Sequence, residues 1–108
     1  MGITKSEALK AVDRERGPVC EASDKIWDQP ETAFQEFHST DILCELLEKE
    51  GFKVERNLAG IATAFSGTYG FCKPVVGILG EFDALSGLSQ ESQSLKKIAM
   101  EDGAPGHG

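Results

Sequence analysis

The sequence predicts an α/β fold bordering on α+β, with N-terminal helices packed on a mixed sheet of about three strands. Three observations carry this. Ile42, Leu43, Leu46 and Leu47 form an apolar stripe at helical spacing. Phe52 and Val54 alternate with Lys53 and Glu55, the period of a half-buried strand. Val75, Val76, Ile78 and Leu79 form a near-continuous, partly β-branched run, the pattern of a strand buried on both faces. A chain of 108 residues has room for one domain of modest size.

Taken in order, Leu9, Val12, Val19, Ala22 and Ile26 recur near one helical face between Ser6 and Asp28. Gly17-Pro18 interrupts them. An interior proline removes a hydrogen bond and clashes with the carbonyl four residues back, at a cost of about 3 kcal/mol or more. Two helices, or one sharply kinked, are expected, and Gln29-Pro30 stops the second. Pro30 to Phe37 is a connector, with Phe34 and Phe37 placed to tuck under the next helix. That helix starts at Ser39 or Thr40 as N-cap, with Asp41 favourable against the dipole. It ends at Gly51, a C′ glycine, where Phe52 folds back.

Lys53 to Asn57 reads as the first strand and Ile61 to Tyr69 as the second, with Leu58-Ala59-Gly60 as the turn. Gly70 to Lys73 is another turn, and Pro74 opens the third strand. Such short turns imply antiparallel neighbours. Beyond Leu88, Ser89 to Ser94 has nothing to bury, and Leu95 to Met100 is at most one helical turn. Glu101 to Gly108 carries three glycines and a proline in eight residues, which fits a backbone that must pass close to something or a sequence that stops in mid-loop.

The charge balance of 11 basic against 18 acidic residues, with no Lys/Arg run beyond Lys96-Lys97, argues against nucleic acid and anionic membrane as partners. No apolar run approaches the ~20 residues of a membrane-spanning helix. Cys20, Cys44 and Cys72 are odd in number and widely spaced, and the polar start is not a secretory signal. The expectation is a reduced, cytoplasmic protein with free thiols, Cys44 acting as a small hydrophobe.

Chemistry concentrates after the third predicted strand. Glu81 and Asp83 are two apart, so on a continuing strand they share a face. Paired carboxylates there can bind a metal or raise one another's pKa. They can equally be a solvated strand end, and spacing leaves both readings open. His107 stands between glycines. With Glu81 and Asp83 it makes at most three candidate ligands, the minimum for a zinc site. Neither Ser86 nor Ser89 sits in a G-x-S-x-G elbow.

The run from Gly77 to Gln90, G-I-L-G-E-F-D-A-L-S-G-L-S-Q, together with Trp27 to Glu31, the Phe37–Gly51 helix and Asn57 to Gly70, resembles the metal-dependent amidohydrolases of peptidase family M-twenty. Within that family it is most similar to the branch of p-aminobenzoyl-glutamate hydrolases. The resemblance implies that residues 1–108 are the N-terminal portion of a dizinc exopeptidase-like catalytic domain. It implies hydrolysis of an N-acyl amino acid by metal-activated water, with zinc or manganese as the metal and a homo- or hetero-oligomeric assembly. It gives Asp83 the role of the aspartate that orients a metal ligand. Glu81 stands where other branches carry histidine, which puts direct ligation by Glu81 in doubt. Gly106-His107-Gly108 matches the lead-in to the family's Cys-Gly-His-Asn ligand motif, which these residues do not include. His107 is then a neighbour of the site, and the 108 residues alone are expected to be inactive. The other reading is a non-catalytic module that binds a partner or dimerises through an open sheet edge.

Overall fold

The computed structural model describes residues 2–108. It has the α+β character expected at the outset, with a smaller sheet. Helix α1 spans Lys5–Asp28 and helix α2 spans Phe37–Lys49. Strands β1 (Lys53–Arg56) and β2 (Phe65–Thr68) form one antiparallel pair, Lys53 opposite Thr68 and Arg56 opposite Phe65. The α2 helix is the middle layer, with α1 against one side and the hairpin against the other.

Helix α1 is continuous through Pro18 rather than split. Pro18 leaves the Arg14 carbonyl without its usual donor. Arg14 is exposed, so water can take that carbonyl. At the start of α1, Thr4 and Glu7 form a reciprocal capping box: the Glu7 N–H donates to Thr4 Oγ1 (3.2 Å) and the Thr4 N–H to Glu7 Oε2 (2.7 Å). Only Ala22 and Ile26 of the predicted apolar face are buried. Leu9, Val12 and Val19 lie exposed, because only the last turns of α1 meet another element.

Helix α2 begins three or four residues earlier than expected, with Glu36 as N-cap and no capping side chain of its own. Ser39 and Thr40 are buried inside it. The Thr40 hydroxyl donates to the Thr63 carbonyl at 3.1 Å, which ties α2 to the hairpin connection. Phe34 and Phe37 are exposed, not tucked under the helix. At the other end the C′ glycine is as expected. Gly51 sits at φ 87°, its N–H donates to Glu48 O, and the Phe52 N–H reaches Leu47 O. This is a Schellman closure, and it sets Phe52 against Tyr69 with ring centroids 5.1 Å apart.

The third strand is the main correction. Pro74 to Leu79 carries no regular structure, and Val75, Val76, Ile78 and Leu79 are 81–94% exposed. A strand exists only through its ladder, and among the described residues nothing pairs with this stretch. The sheet therefore has two strands, and the mixed three-stranded sheet does not form. The buried apolar core is correspondingly small: Ala22, Ile26, Cys44 and Ala84. The radius of gyration, 16.6 Å, exceeds the about 13 Å of a closely packed chain of this length.

No helix among the described residues is long and apolar enough to cross a membrane. The three cysteines are free, Cys44 wholly buried and the other two exposed. Burial pushes the Cys44 thiol above its ordinary pKa, against a smaller opposing effect of Arg56. A thiol titration in native buffer should therefore modify Cys20 and Cys72 quickly, and Cys44 only after denaturant is added. Rapid native modification of all three would show that α2 does not hold its buried face.

Candidate functional site

The site builds from the loop that follows the unpaired segment. Ala84 is 2% exposed, and its N–H donates to the Glu31 carbonyl at 2.7 Å, in a parallel bridge with the connector at Thr32. One residue on, Leu85 and Gly106 exchange two backbone hydrogen bonds at 3.0 Å each. The Ser89 N–H then reaches the Ala104 carbonyl at 3.0 Å. The connector before α2, the A-L-S-G-L loop and the glycine-rich end are thus clamped together. Gly106 is required by space. A Cβ there would lie 2.2 Å from the Leu88 carbonyl oxygen and 2.8 Å from Ser89 Cα. This is the close backbone approach that the glycine-dense end implied.

The clamp positions two of the three candidate residues. Asp83 immediately precedes Ala84 and His107 immediately follows Gly106; both are half-buried. His107 Nε2 is shielded from solvent and has no hydrogen-bond partner. Other atoms of His107 line a crevice of about 340 Å³, with Trp27, Asp28, Pro30, Ser89 and Glu101 among its other walls. Glu81 is exposed, and neither Glu81 nor Asp83 lines that crevice. Because residues 75–83 are unpaired, the shared strand face expected for the two carboxylates is not formed. Phe82, between them, packs its ring on Phe65 at 5.7 Å.

Two residues that the sequence pattern does not single out organise this region. Glu31 accepts the His38 N–H on Oε2 (2.9 Å) and both the Ser39 N–H and hydroxyl on Oε1 (2.7 Å each). It is the real cap of α2, supplied from outside the helix. Burial pushes its carboxyl up, but the Ser39 hydroxyl and the two N–H donors outweigh this and hold it below the usual range. Gln90 closes the loop beyond. Its amide donates to the Lys96 carbonyl (2.9 Å) and accepts the Ile98 N–H (3.1 Å), so this stretch folds as a stapled loop without a helical turn.

No protein-family model matches the chain. Over 98 residues, 91% of its length, it is 43% identical to a subunit of p-aminobenzoyl-glutamate hydrolase from Escherichia coli (strain K12). The chain is related to that hydrolase subunit. It spans a fifth of the subunit's length (20%), so the relation covers one part of the larger protein. Among the described residues no group of three His, Cys, Asp or Glu side chains is placed to hold a metal ion. Asp83 and His107 each adjoin a residue of the clamp, Ala84 and Gly106, but do not form a complete donor set.

Proposed function

We propose that this chain is the N-terminal portion of an amidohydrolase that cleaves the amide bond of an N-acyl amino acid of the p-aminobenzoyl-glutamate kind. The 43% identity over 91% of the chain is the observation that carries this. The E-F-D-A-L run held against G-H-G through the Leu85–Gly106 pair supports it. The complete enzyme would use a divalent metal, zinc or manganese, whose main ligands lie outside these residues. In the complete enzyme that ion would supply the acidity that turns water into a nucleophile near neutral pH. Within this chain, Asp83 is the residue that orients a ligand side chain, and Glu81 and His107 are its neighbours. Like its relative, named as one subunit of a hydrolase, the protein would work in an assembly. The proposed setting is the cytoplasm.

The 108 residues by themselves are expected to be inactive, since too few donors converge. Two measurements test this. The isolated chain with zinc or manganese should release no glutamate from p-aminobenzoyl-glutamate. Grafted in place of the matching stretch of the Escherichia coli subunit, it should sustain turnover, and Asp83→Ala in that chimera should lower the rate about 10–100-fold. A folded, metal-loaded chimera with no turnover would count against the proposal. Turnover by the chain alone would remove the inactivity claim.

A further inference from the structure

Asp83 is flanked by two residues that are each held in place. Before it, the Phe82 ring packs on Phe65 with centroids 5.7 Å apart. After it, the buried Ala84 donates its N–H to the Glu31 carbonyl at 2.7 Å. Both supports lead back to the first turn of α2. There the Glu31 carboxylate accepts the His38 and Ser39 N–H groups and the Ser39 hydroxyl. One residue on, the Thr40 hydroxyl donates to the Thr63 carbonyl, two residues before Phe65. We infer that Glu31 is a positioning residue for the reaction: its carboxylate fixes the connector peptide on which Ala84 rests, and so fixes Asp83. The inference rests on the proposed hydrolase reading, which gives Asp83 its part in the chemistry.

The bonding singles out this residue. Among the described residues of the connector, only Glu31 is tied at both ends, by its carbonyl to the loop at Ala84 and by its side chain to α2. Between those ties the connector doubles back. The Gln35 N–H reaches the Thr32 carbonyl and the Phe37 N–H reaches the Gln35 carbonyl, each at 2.9 Å. Phe34 takes φ 66°, a left-handed conformation that a non-glycine residue keeps only where its surroundings hold it. The carboxylate closes this turn by joining residue 31 to residues 38 and 39. Without it Phe34 can relax, the turn opens, and the Glu31 carbonyl no longer has a fixed place. The Thr40–Thr63 bond is untouched, so the disturbance falls on the Ala84 side of Asp83. A displacement of about 1 Å at a reacting site can cost about 100-fold in rate, so a small movement suffices.

Two measurements test this. In amide hydrogen exchange of the 108-residue chain, Glu31→Ala should cut the protection of the Ala84 N–H at least about tenfold, while the β1–β2 pair keeps its own. In the Escherichia coli chimera, Glu31→Ala should lower kcat about tenfold, and Glu31→Gln, which keeps one acceptor oxygen, should recover part of that loss. Added to Asp83→Ala, the same Glu31→Ala should cost less than about twofold more, since the side chain it positions is already gone. A smaller folded fraction would lower the rate equally on both backgrounds, so this cycle separates positioning from stability. Glu31→Gln carries both measurements if the alanine variant does not fold. Unchanged protection at Ala84, or kinetic losses that multiply in full, overturns the inference and leaves the hydrolase reading standing. A chimera without turnover, or one indifferent to Asp83→Ala, overturns that reading and this inference with it.

Discussion

Gly106→Ala should detach the glycine-rich end from the A-L-S-G-L loop. The added methyl would sit 2.2 Å from the Leu88 oxygen and 2.6 Å from its carbonyl carbon, both backbone atoms that no rotamer change can move aside. Relief requires the two segments to separate, and that breaks the paired Leu85–Gly106 hydrogen bonds and the Ser89–Ala104 bond. At about 0.5–1.5 kcal/mol net for each bond, the loss is about 2–4 kcal/mol of local stability. In amide hydrogen exchange, Leu85, Ser89 and Gly106 should lose their protection, while the β1–β2 pair keeps its own. Gly80→Ala, where an added Cβ meets nothing, is the matched control and should change little. Retained protection at Gly106 in the alanine variant would show that the clamp is looser than its geometry.

The same contrast between near and far partners explains what could be read in the sequence. The α2 stripe and the Gly51 closure rest on residues a few positions apart, and periodicity and turn chemistry reveal them. The antiparallel β1–β2 pair is foreseen too, but β2 is only Phe65–Thr68, not Ile61 to Tyr69, and residues 57–64 join the strands where a three-residue turn was expected. The Thr4–Glu7 box is equally local, visible in T-K-S-E, but it stands beside the more conspicuous Gly17-Pro18 break. The cap of α2 is hidden for another reason. Ser39 and Thr40 have the right chemistry for an N-cap, but Glu31 reaches the helix from seven and eight residues upstream and starts it earlier. The requirement at Gly106 is legible only as glycine density, because its cause lies at Leu88. Val75 to Leu79 has the pattern of a buried strand, but pattern records what a segment can bury against, and a ladder needs a neighbour that the described residues do not supply. The pairing of Glu81 with Asp83 fails with it.

Glu31→Ala should be the most damaging change among the exposed or half-buried carboxylates. One carboxylate here satisfies two N–H groups at the α2 start and the hydroxyl of Ser39, which is wholly buried. Loss of a helix cap costs about 0.5–2 kcal/mol. A buried donor left without a partner adds about 1–3 kcal/mol, so about 2–4 kcal/mol is expected in denaturant unfolding at neutral pH. Glu31→Gln keeps one acceptor oxygen and should lose less. The pH dependence follows from the sign of the shift. The folded carboxyl titrates below its unfolded value of 4.5, so its stabilisation is complete above 4.5 and fades as pH falls through the lower, folded value. The stability gap between the parent chain and Glu31→Ala should therefore be constant from neutral pH down to about 5, then narrow in more acid solution as protonation weakens the carboxyl as an acceptor. A gap that stays constant into strong acid, or one below about 0.5 kcal/mol at neutral pH, would mean that α2 is held by its packing on α1 and the hairpin and not by the charge at its start.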